Sequence, residues 1–341
     1  MGKSAARPSI VLLASEETSA AVLYGLFDVL STVGAVYPDM VSGVAGEELL
    51  DVRIAARNKE HFRCFGNIPI EPHVAINQIE RADAVIVCDM YTPIDTPPTG
   101  SYIEEIAWLK NMHAGGALLA SVCSGSAVLV ETGLLDGCEI SGHWAYRHMF
   151  KKYYPRVNFV ENVILNMSAI DNRVVTTAGV TSWQDLALYL VSRFCGVEHA
   201  ANTAKIHLLT GHNEGQSTYA SMTCNALHSD ALVHDCQDFI GKNYAEANPV
   251  AKMIEFCGIN RRTFSRRFKS ATGYDPLEYV QSLRMENARR LLETSDLGID
   301  EVSDRVGYED TASFRRLFKR KSGVTPVAYR KKFSNLTFSA V

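Results

Sequence analysis

Residues 264–279 read FSRRFKSATGYDPLEY, and residues 314–329 read FRRLFKRKSGVTPVAY. The two stretches share a pattern of aromatic, basic and turn-forming residues at one fixed offset. The residues that recur 50 positions later include Phe264, Phe268, Lys269, Gly273, Pro276 and Tyr279. Identities at one offset indicate a duplicated structural unit. The second half of the chain therefore contains the same unit twice.

A short amphipathic helix that ends at a glycine is predicted before each copy. Apolar residues keep helical spacing up to Gly258 in the first copy and up to Gly307 in the second. A second helix follows each glycine, over residues 260–269 and 310–321. Helix, turn and helix in succession predict two helix-turn-helix units.

The second helix of each unit is predicted to bury its two phenylalanines, which leaves basic and hydroxyl side chains outward. These outward residues are Arg261, Arg262, Ser265, Arg266 and Lys269 in one copy, and Thr311, Arg315, Arg316 and Lys319 in the other. Guanidinium forks and hydroxyls suit base edges and phosphates in the major groove of DNA. A solvated basic face is the alternative for a single helix, but the duplication favours a DNA-reading pair.

A longer helix is predicted between the copies, from Pro276 to about Thr294. Its predicted apolar stripe consists of Leu277, Val280, Leu283, Asn287, Ala288 and Leu291. About 18 residues at 1.5 Å each make a strut of roughly 27 Å, close to the 34 Å of one DNA turn. The two second helices are therefore expected to enter adjacent major grooves of one duplex.

These residues resemble the DNA-binding domain of the AraC/XylS family of bacterial transcription regulators. The resemblance rests on the repeat and on further motifs, namely Arg284-x-x-x-Ala288-Arg289-x-Leu291-Leu292, Gly307-Tyr308 and Gly323-x-x-Pro326-x-x-Tyr329-Arg330. One departure is Ile254, where many members have a small residue that lets the helices of the first unit pack closely. The second unit keeps the small Ser303.

In the first half of the chain, apolar runs that suit strands alternate with helical patterns. The predicted strands are 10–14, 84–88, 117–122 and 173–177, and the predicted helices are 18–31, 102–113 and 181–194. Such alternation indicates a mostly parallel sheet with helices on both faces. We therefore expect a doubly wound α/β domain, followed by an all-α domain with two helix-turn-helix units.

Residues 116–126 read GALLASVCSGS, so a buried strand leads into Cys123 and then into a helix. A sharp turn of this kind exposes a side chain at the carboxyl end of the sheet, where ligands of open α/β sheets bind. Backbone N–H groups and the start of a helix favour a thiolate there. An inert buried cysteine is the alternative.

With Gly142-His143-Trp144 and Thr177-Ala178-Gly179-Val180-Thr181, this segment resembles the PfpI-like branch of the class I glutamine amidotransferase-like domains. The two halves together resemble GlxA-type regulators. In enzymatic relatives the cysteine is a nucleophile, with a histidine directly after it and a glutamate after the first strand. Here Ser124 occupies the position of that histidine.

The glutamate is Glu16 or Glu17, and His143 is the only candidate for a displaced base. The missing adjacent histidine implies a vestigial, non-catalytic site. The resemblance implies instead an effector pocket formed by Glu16, Glu17, Cys123, Ser124 and His143.

The net charge of −4 conceals two halves of opposite sign. Residues 235–333 hold 19 Lys and Arg against 14 Asp and Glu, a net +5, so the remainder carries −9. This asymmetry supports a polyanionic partner for the second half.

Residues 211–229 show no apolar period and predict a linker. It separates a sensing domain, 1–210, from a DNA-binding domain, 230–335, with a tail at 336–341.

Composition excludes several classes of protein. A chain of 341 residues suits two ordinary domains, and its apolar runs are too short for a secretory signal or a membrane span. We therefore expect a cytoplasmic, nucleoid-associated protein without a membrane partner. Eight cysteines without a C-x-x-C pair suggest neither a disulfide framework nor a metal site, and we predict no cofactor.

The leading hypothesis is a DNA-binding transcription regulator controlled by a small molecule. The resemblance implies an activator that responds to a nitrogen-containing metabolite such as an amino acid or a quaternary amine, with a homodimeric state and RNA polymerase as a partner. Two alternatives stay open. One is a cysteine-dependent amidase or hydrolase with a nucleic-acid-binding tail, and the other is a thiol redox sensor with a reachable Cys123 of low pKa.

Overall fold

The computed structural model describes residues 6–94, 96–167, 171–212, 214–221 and 228–334. Backbone contacts divide the chain into two units, Met1–Gln216 and Ser217–Val341. The division falls inside the segment 211–229 that the sequence predicts as a linker. Residues 213 and 222–227 of that segment lie outside the described residues, as does the predicted tail 336–341.

The first unit is built on a seven-stranded sheet. The strands of this unit are β1 (Ser9–Leu13), β2 (Asp51–Ala56), β3 (Phe62–Cys64), β4 (Ile68–Ile70), β5 (Val74–Ala75), β6 (Ala84–Val87), β7 (Leu118–Ser121), β8 (Glu139–Ile140), β9 (Asn158–Phe159), β10 (Leu165–Met167) and β11 (Val174–Thr177). The sheet order is β10, β11, β7, β6, β1, β2, β5. All neighbours are parallel except β10, which runs antiparallel to β11. Strands β3 with β4, and β8 with β9, form two small separate sheets.

Helices cover both faces of this sheet. They are α1 (Ala20–Ser31), α2 (Val36–Ser42), α3 (Ile103–Ala114), α4 (Gly125–Glu131), α5 (Arg147–Tyr153), α6 (Trp183–Cys195) and α7 (Val197–His207). Alternate residues of β1 enter opposite cores, because Val11 packs with residues of α3 and α4 while Ile10 packs with residues of α1 and α6. This two-sided burial explains the continuous apolar runs in the central strands.

The predicted α/β fold class is confirmed, and the predicted strands and helices are present with small shifts at their ends. Within the described ranges, no single helix is long and apolar enough to span a bilayer, although the bent pair α1 and α2 reaches the necessary length and composition when taken together.

All the secondary-structure elements described in the second unit are helices. Its helices are α8 (Ala231–Asn243), α9 (Pro249–Cys257), α10 (Arg261–Thr272), α11 (Pro276–Thr294), α12 (Ile299–Arg305), α13 (Thr311–Ser322) and α14 (Pro326–Phe333). Helices α9 with α10, and α12 with α13, are the two predicted helix-turn-helix units. Each helix-turn-helix unit has its own core. Phe264 and Phe268 lie at the centre of the core of the first helix-turn-helix unit, and Phe314 and Phe318 at the centre of the second. Ile254 is half-buried and packs against the first core.

The apolar stripe predicted for α11 is partly wrong. Leu277 is 59% exposed, and Leu283, Asn287 and Leu291 are only half-buried. The buried side of α11 consists instead of Pro276, Tyr279, Val280, Ser282, Met285, Ala288, Arg289 and Leu292. The stripe is rotated because two polar residues, Ser282 and Arg289, take places on the buried side.

Candidate functional site

Helix α10 presents a cationic face to solvent. Asn260 caps the helix by accepting a hydrogen bond from the backbone N–H of Thr263 at 2.9 Å, and Phe264 and Phe268 fix the opposite face in the core. The side chains of Arg261, Arg262 and Arg266 are exposed, and Ser265 is half-buried. Within the described part of the chain, none of these three guanidinium groups has a hydrogen-bond or ion-pair partner. Their donors are therefore free to bind a ligand.

Helix α13 presents the corresponding face in the second helix-turn-helix unit. Asp310 caps it by accepting hydrogen bonds from the backbone N–H groups of Ala312 and Ser313, both at 3.0 Å. Arg315, Arg316 and Lys319 are exposed and Thr311 is half-buried.

Three basic residues of these faces already have acidic neighbours. Lys269 Nζ lies 3.1 Å from Asp275, Arg315 Nη2 lies 3.3 Å from Asp300, and Arg316 Nη2 lies 3.8 Å from Asp310. Exposed pairs of this kind contribute only about 0–1 kcal/mol. A phosphate group can therefore replace these carboxylates at little cost.

Arg267 was not singled out from the sequence, and the structure gives it a different role from its neighbours. Its Nε and Nη2 atoms lie 2.6 and 2.8 Å from the carboxylate of Asp230. Asp230 also caps α8 by accepting a hydrogen bond from Val233 N–H at 3.1 Å, and the hydrogen bonds from Arg267 hold the pKa of Asp230 below its usual value. Arg267 thus fastens α10 to the start of α8.

Arg284, in the middle of α11, connects the two helix-turn-helix units. Its guanidinium donates hydrogen bonds to the carbonyl oxygens of Tyr244 at 2.8 Å, Glu246 at 2.9 Å and Gly307 at 2.8 Å. It also lies over the ring of Tyr308, 5.1 Å from the centroid. One side chain therefore ties the loop before α9 to the turn before α13.

Cys123 stands at the sharp turn between β7 and α4, as the sequence predicts. Its φ is +55°, in the left-handed region that residues other than glycine rarely adopt. The side chain is only 4% exposed, and this burial raises the pKa of the Cys123 thiol to about 12, with a further upward contribution from the Asp89 carboxylate. The expectation that this turn favours a thiolate is therefore wrong, because burial outweighs the backbone N–H groups.

The residues beside Cys123 are occupied in holding the backbone. Ser124 is buried, and its Oγ accepts a hydrogen bond from Met90 N–H at 3.1 Å. Asp89, which follows β6, accepts one from Ser19 N–H at 3.3 Å, and burial raises the pKa of Asp89 to about 6. Asp89 was missed in the sequence, although a carboxylate directly after a buried strand was a usable signal.

The imidazole of His143 is held by the backbone of its own loop. Its Nδ1 accepts a hydrogen bond from Ala145 N–H at 3.2 Å, and burial lowers the pKa of the imidazole. Among the residues described, no hydrogen bond joins His143 to Cys123, whereas activation of a nucleophile needs a base within about 3 Å.

A cleft of about 430 Å³ opens at the carboxyl ends of β1 and β2. Glu16 and Glu17 line it, and Glu17 Oε2 accepts hydrogen bonds from Ser15 Oγ at 2.8 Å and from Tyr102 OH at 3.0 Å. Across the cleft, Arg57 donates two hydrogen bonds of 2.9 Å to the buried carboxylate of Glu105.

The structure thus separates the five residues predicted to form one effector pocket. Glu16 and Glu17 line the cleft, whereas Cys123, Ser124 and His143 lie outside its lining. The reason is the strand order, because β6 lies between β1, which leads to the glutamates, and β7, which leads to the cysteine. Sequence spacing gave no measure of that separation.

Comparisons with known proteins agree with this architecture. The DJ-1/PfpI family pattern matches residues 20–193, and a helix-turn-helix domain pattern matches residues 254–332. The chain is 24% identical over 302 residues to the HTH-type transcriptional regulator GbdR of Pseudomonas aeruginosa, covering 88% of this chain and 80% of that protein. It is 24% identical over 257 residues to the HTH-type transcriptional regulator GlxA of Rhizobium meliloti, covering 74% of this chain and 76% of that protein.

Among solved structures, Drosophila melanogaster DJ-1beta matches with a TM-score of 0.49 and 17% identity, over 60% of this chain and all of that one. The DJ-1/PfpI match covers 174 of the 341 residues, and the helix-turn-helix match covers a further 79. The chain belongs to the DJ-1/PfpI family and is a transcriptional regulator in which that domain precedes an AraC-type helix-turn-helix DNA-binding domain.

Proposed function

We propose that this regulator reads double-stranded DNA with α10 and α13, which enter two adjacent major grooves. The observation that carries the proposal is the exposed, unpaired set Arg261, Arg262 and Arg266 on one face of a capped helix. Guanidinium groups recognise guanine edges through paired hydrogen bonds. Helix α13 offers the second surface, with Thr311, Arg315, Arg316 and Lys319 on its outer face.

A rigid frame between the two helices supports binding in adjacent grooves. Helix α11 has 19 residues, which correspond to about 28 Å at 1.5 Å per residue. The three hydrogen bonds of Arg284 tie this helix to elements of both helix-turn-helix units. Successive major-groove faces of a duplex are about 34 Å apart, so a frame of this length suits one helical turn.

The experiment selects duplexes from a random library with the full chain and then measures affinity by fluorescence anisotropy at several salt concentrations. We expect Arg262→Ala to weaken binding to the selected duplex by about 10- to 100-fold, and to weaken binding to unrelated DNA much less. Lys269→Ala weakens all sequences alike and lowers the slope of log affinity against log salt by about one.

The matched control is Arg156→Ala, an exposed arginine of the first unit that pairs with Asp136 at 2.9 Å. It removes the same charge from a surface that the proposal does not use. If Arg262→Ala and Lys269→Ala both bind the selected duplex like the control, the assignment of α10 to the groove is wrong.

A small nitrogen-containing metabolite bound in the 430 Å³ cleft controls the regulator in this proposal. The carboxylates of Glu16, Glu17, Glu60 and Glu105 line the cleft, against one arginine, Arg57, that already pairs with Glu105. The excess negative charge favours a cationic ligand, and the aromatic rings of Phe62 and Tyr102 provide further contacts for one. The resemblance to GlxA-type regulators points to the same ligand class.

Thermal unfolding in the presence of single compounds tests this part. We expect an amino acid or a quaternary amine to raise the unfolding temperature of the first unit, and acetate to leave it unchanged. Glu16→Gln and Glu17→Gln reduce the shift, whereas Glu48→Gln, an exposed residue paired with Arg7, serves as the control. A shift that carboxylates produce as well as amines refutes the cationic ligand. A ligand controls DNA binding only if it binds one state better than the other.

The remaining proposals come from the family resemblance. The regulator acts as a homodimer, activates transcription through contact with RNA polymerase, and works in the cytoplasm on the nucleoid. Its DJ-1/PfpI domain is a sensor without catalysis, which the buried, high-pKa thiol of Cys123 supports. Sedimentation at several concentrations tests the dimer. In vitro transcription from a promoter that carries the selected duplex distinguishes activation from repression.

A further inference from the structure

Two cysteine side chains meet between α8 and α9, in the core of the first helix-turn-helix unit. Cys236 lies on α8 and is 0% exposed, and Cys257 is the last residue of α9 and is 8% exposed. Both are free thiols and belong to the cluster that contains Phe264 and Phe268. Cys236 Sγ lies 3.9 Å from the carbonyl oxygen of Met253, one helical turn before Cys257, and its thiol donates a hydrogen bond to Cys257 Sγ. The two sulfur atoms are therefore direct neighbours.

The two thiols are not equivalent. Burial raises the pKa of both. The hydrogen bond between them raises the pKa of Cys236, which donates it, and lowers the pKa of Cys257, which accepts it. The Arg267 guanidinium lowers the pKa of Cys257 further, by more than either Asp230 or Asp235 raises it. Cys257 is thus the better nucleophile of the two, and it is also the one that solvent reaches.

We propose that Cys236 and Cys257 form a redox pair, which a hydroperoxide such as hydrogen peroxide converts reversibly into a disulfide. The Cys257 thiolate attacks one peroxide oxygen, the O–O bond breaks, and the released hydroxide takes up the proton that the thiol lost. A sulfenic acid and one water form. Cys236 sulfur then attacks the sulfur of the sulfenic acid, and its proton leaves with the hydroxyl group as a second water. The two thiols lose two electrons, which the peroxide gains, and a small thiol reverses the reaction by exchange.

Closure of this disulfide is expected to displace α10. A disulfide brings the sulfur atoms to about 2.05 Å, closer than a hydrogen bond does, so the end of α9 is drawn towards α8. Helix α10 begins at Arg261, four residues after Cys257, and its Arg267 is fastened to Asp230 at the start of α8. A shift of α9 against α8 therefore acts on both attachments of α10. This part of the inference rests on the proposed function, because it takes α10 as a DNA-reading helix.

Peptide mapping without reduction tests the redox pair in the full chain. The native protein is treated with hydrogen peroxide, remaining thiols are blocked with N-ethylmaleimide, and trypsin cuts between the two cysteines at Lys242 and Lys252. Cys224 shares a tryptic peptide with Cys236, so the assignment is made in the Cys224→Ser background. We expect a linked peptide pair that joins Cys236 to Cys257 and that disappears when dithiothreitol is added.

Dimedone, which reacts with sulfenic acids, distinguishes the attacking thiol from its partner. In Cys236→Ser the sulfenic acid at Cys257 has no thiol to react with, so Cys257 gains the label. In Cys257→Ser the fully buried Cys236 gains about tenfold less. Cys195→Ser is the matched control, since it removes a half-buried thiol of the first unit and leaves the pair intact. The linked peptide then forms as in the wild type.

The redox pair is overturned if the linked peptide is absent although the peroxide has oxidised the exposed Met40 of the same sample, or if it forms only after urea has unfolded the chain. Neither result depends on the folding of a variant. Equal dimedone labelling of Cys236 and Cys257 in the two single variants contradicts the assigned order of attack.

Anisotropy with the selected duplex tests the displacement of α10. We expect oxidation to weaken binding by about tenfold, as when one base-reading arginine is misplaced. Dithiothreitol restores the affinity, and Cys257→Ser does not show the loss. If the fully linked protein binds like the reduced protein, α10 is not displaced. If the reduced wild-type chain binds no duplex, the proposed function fails, whereas the peptide map still decides the redox pair.

Discussion

Replacement of Arg284 by methionine is expected to loosen the frame that holds the two helix-turn-helix units. The side chain donates to three carbonyl oxygens at 2.8 to 2.9 Å, and hydrogen bonds to a charged group contribute about 1.5 to 3 kcal/mol each in favourable cases. Arg284 is half-buried, so water replaces part of what is lost. We therefore expect the free energy of unfolding of the second unit to fall by about 2 to 4 kcal/mol.

Two optical probes separate the units during urea unfolding. All three tryptophans, Trp108, Trp144 and Trp183, lie in the first unit, so tryptophan fluorescence follows that unit alone, whereas far-ultraviolet circular dichroism also follows the helical second unit. With a urea dependence of about 2 kcal/mol per molar, Arg284→Met lowers the circular dichroism midpoint of the second unit by about 1 to 2 M. The fluorescence midpoint stays unchanged.

Arg290→Met is the matched control on the same helix. Arg290 is exposed, and its hydrogen bond to Asn287 Oδ1 is long, at 3.5 Å. Its replacement shifts the midpoint little, as is usual for surface substitutions. If Arg284→Met shifts the midpoint no more than Arg290→Met, the three carbonyl contacts do not hold the frame together.

Three further predictions follow from single residues. Gly307→Ala lowers the circular dichroism midpoint much more than Gly258→Ala. Both glycines have a positive φ, but only at Gly307 would a Cβ meet a neighbour, the Ala245 carbonyl oxygen at 2.2 Å. Equal shifts of the two midpoints would contradict this. Cys123, with its pKa raised to about 12, reacts with iodoacetamide at pH 8 far more slowly than an ordinary thiol of pKa about 8.5. Mass spectrometry of the labelled peptide measures the rate. Rapid labelling of the native protein would contradict the burial of the thiol. Asp89 has a pKa of about 6 in the folded state, against an ordinary value of 3.8 for the exposed carboxyl of an unfolded chain. The folded state therefore binds the proton more tightly, and the stability that this group contributes falls as pH rises from about 4 to 6. Asp89→Asn therefore stabilises the first unit at pH 7 by about 3 kcal/mol and by much less at pH 4, measured by tryptophan fluorescence in urea; the same gain at both pH values would refute it.

The sequence predicted the elements of this protein better than the surroundings of its polar groups. The repeat at offset 50 placed α10 and α13, because apolar spacing and turn glycines are local signals. The stripe of α11 failed because Arg289 is buried by carbonyl acceptors more than 60 residues away along the chain. Periodicity treats an arginine as an exposed residue and has no means to foresee such partners.

Cys123 illustrates the same limit at the candidate site. The strand, the sharp turn and the following helix were all predictable from residues 116–126. The state of the thiol was not, since it depends on Asp89, at the end of another strand, and on burial by segments distant in sequence. The positions of Glu16 and Glu17 relative to Cys123 depend on strand order, which spacing along the chain does not record.

A chain of contacts joins the cleft to the loop that carries His143, and Tyr146→Phe tests it. The carbonyl of Glu17, at the cleft, accepts a hydrogen bond from Tyr91 N–H at 2.9 Å. The carbonyl of the next residue, Thr92, accepts one from Tyr146 OH at 2.7 Å, and the Tyr146 ring packs edge-on against His143 with 6.2 Å between centroids.

Spatial continuity alone does not establish energetic coupling, and Tyr146→Phe supplies the missing evidence because it removes one hydroxyl and keeps the ring. Burial of the Thr92 carbonyl without its donor costs about 1 to 3 kcal/mol, so amides of the 142–146 loop exchange faster. Hydrogen exchange followed by mass spectrometry measures these amides. If they exchange at the wild-type rate in Tyr146→Phe, the Thr92 contact does not hold the loop.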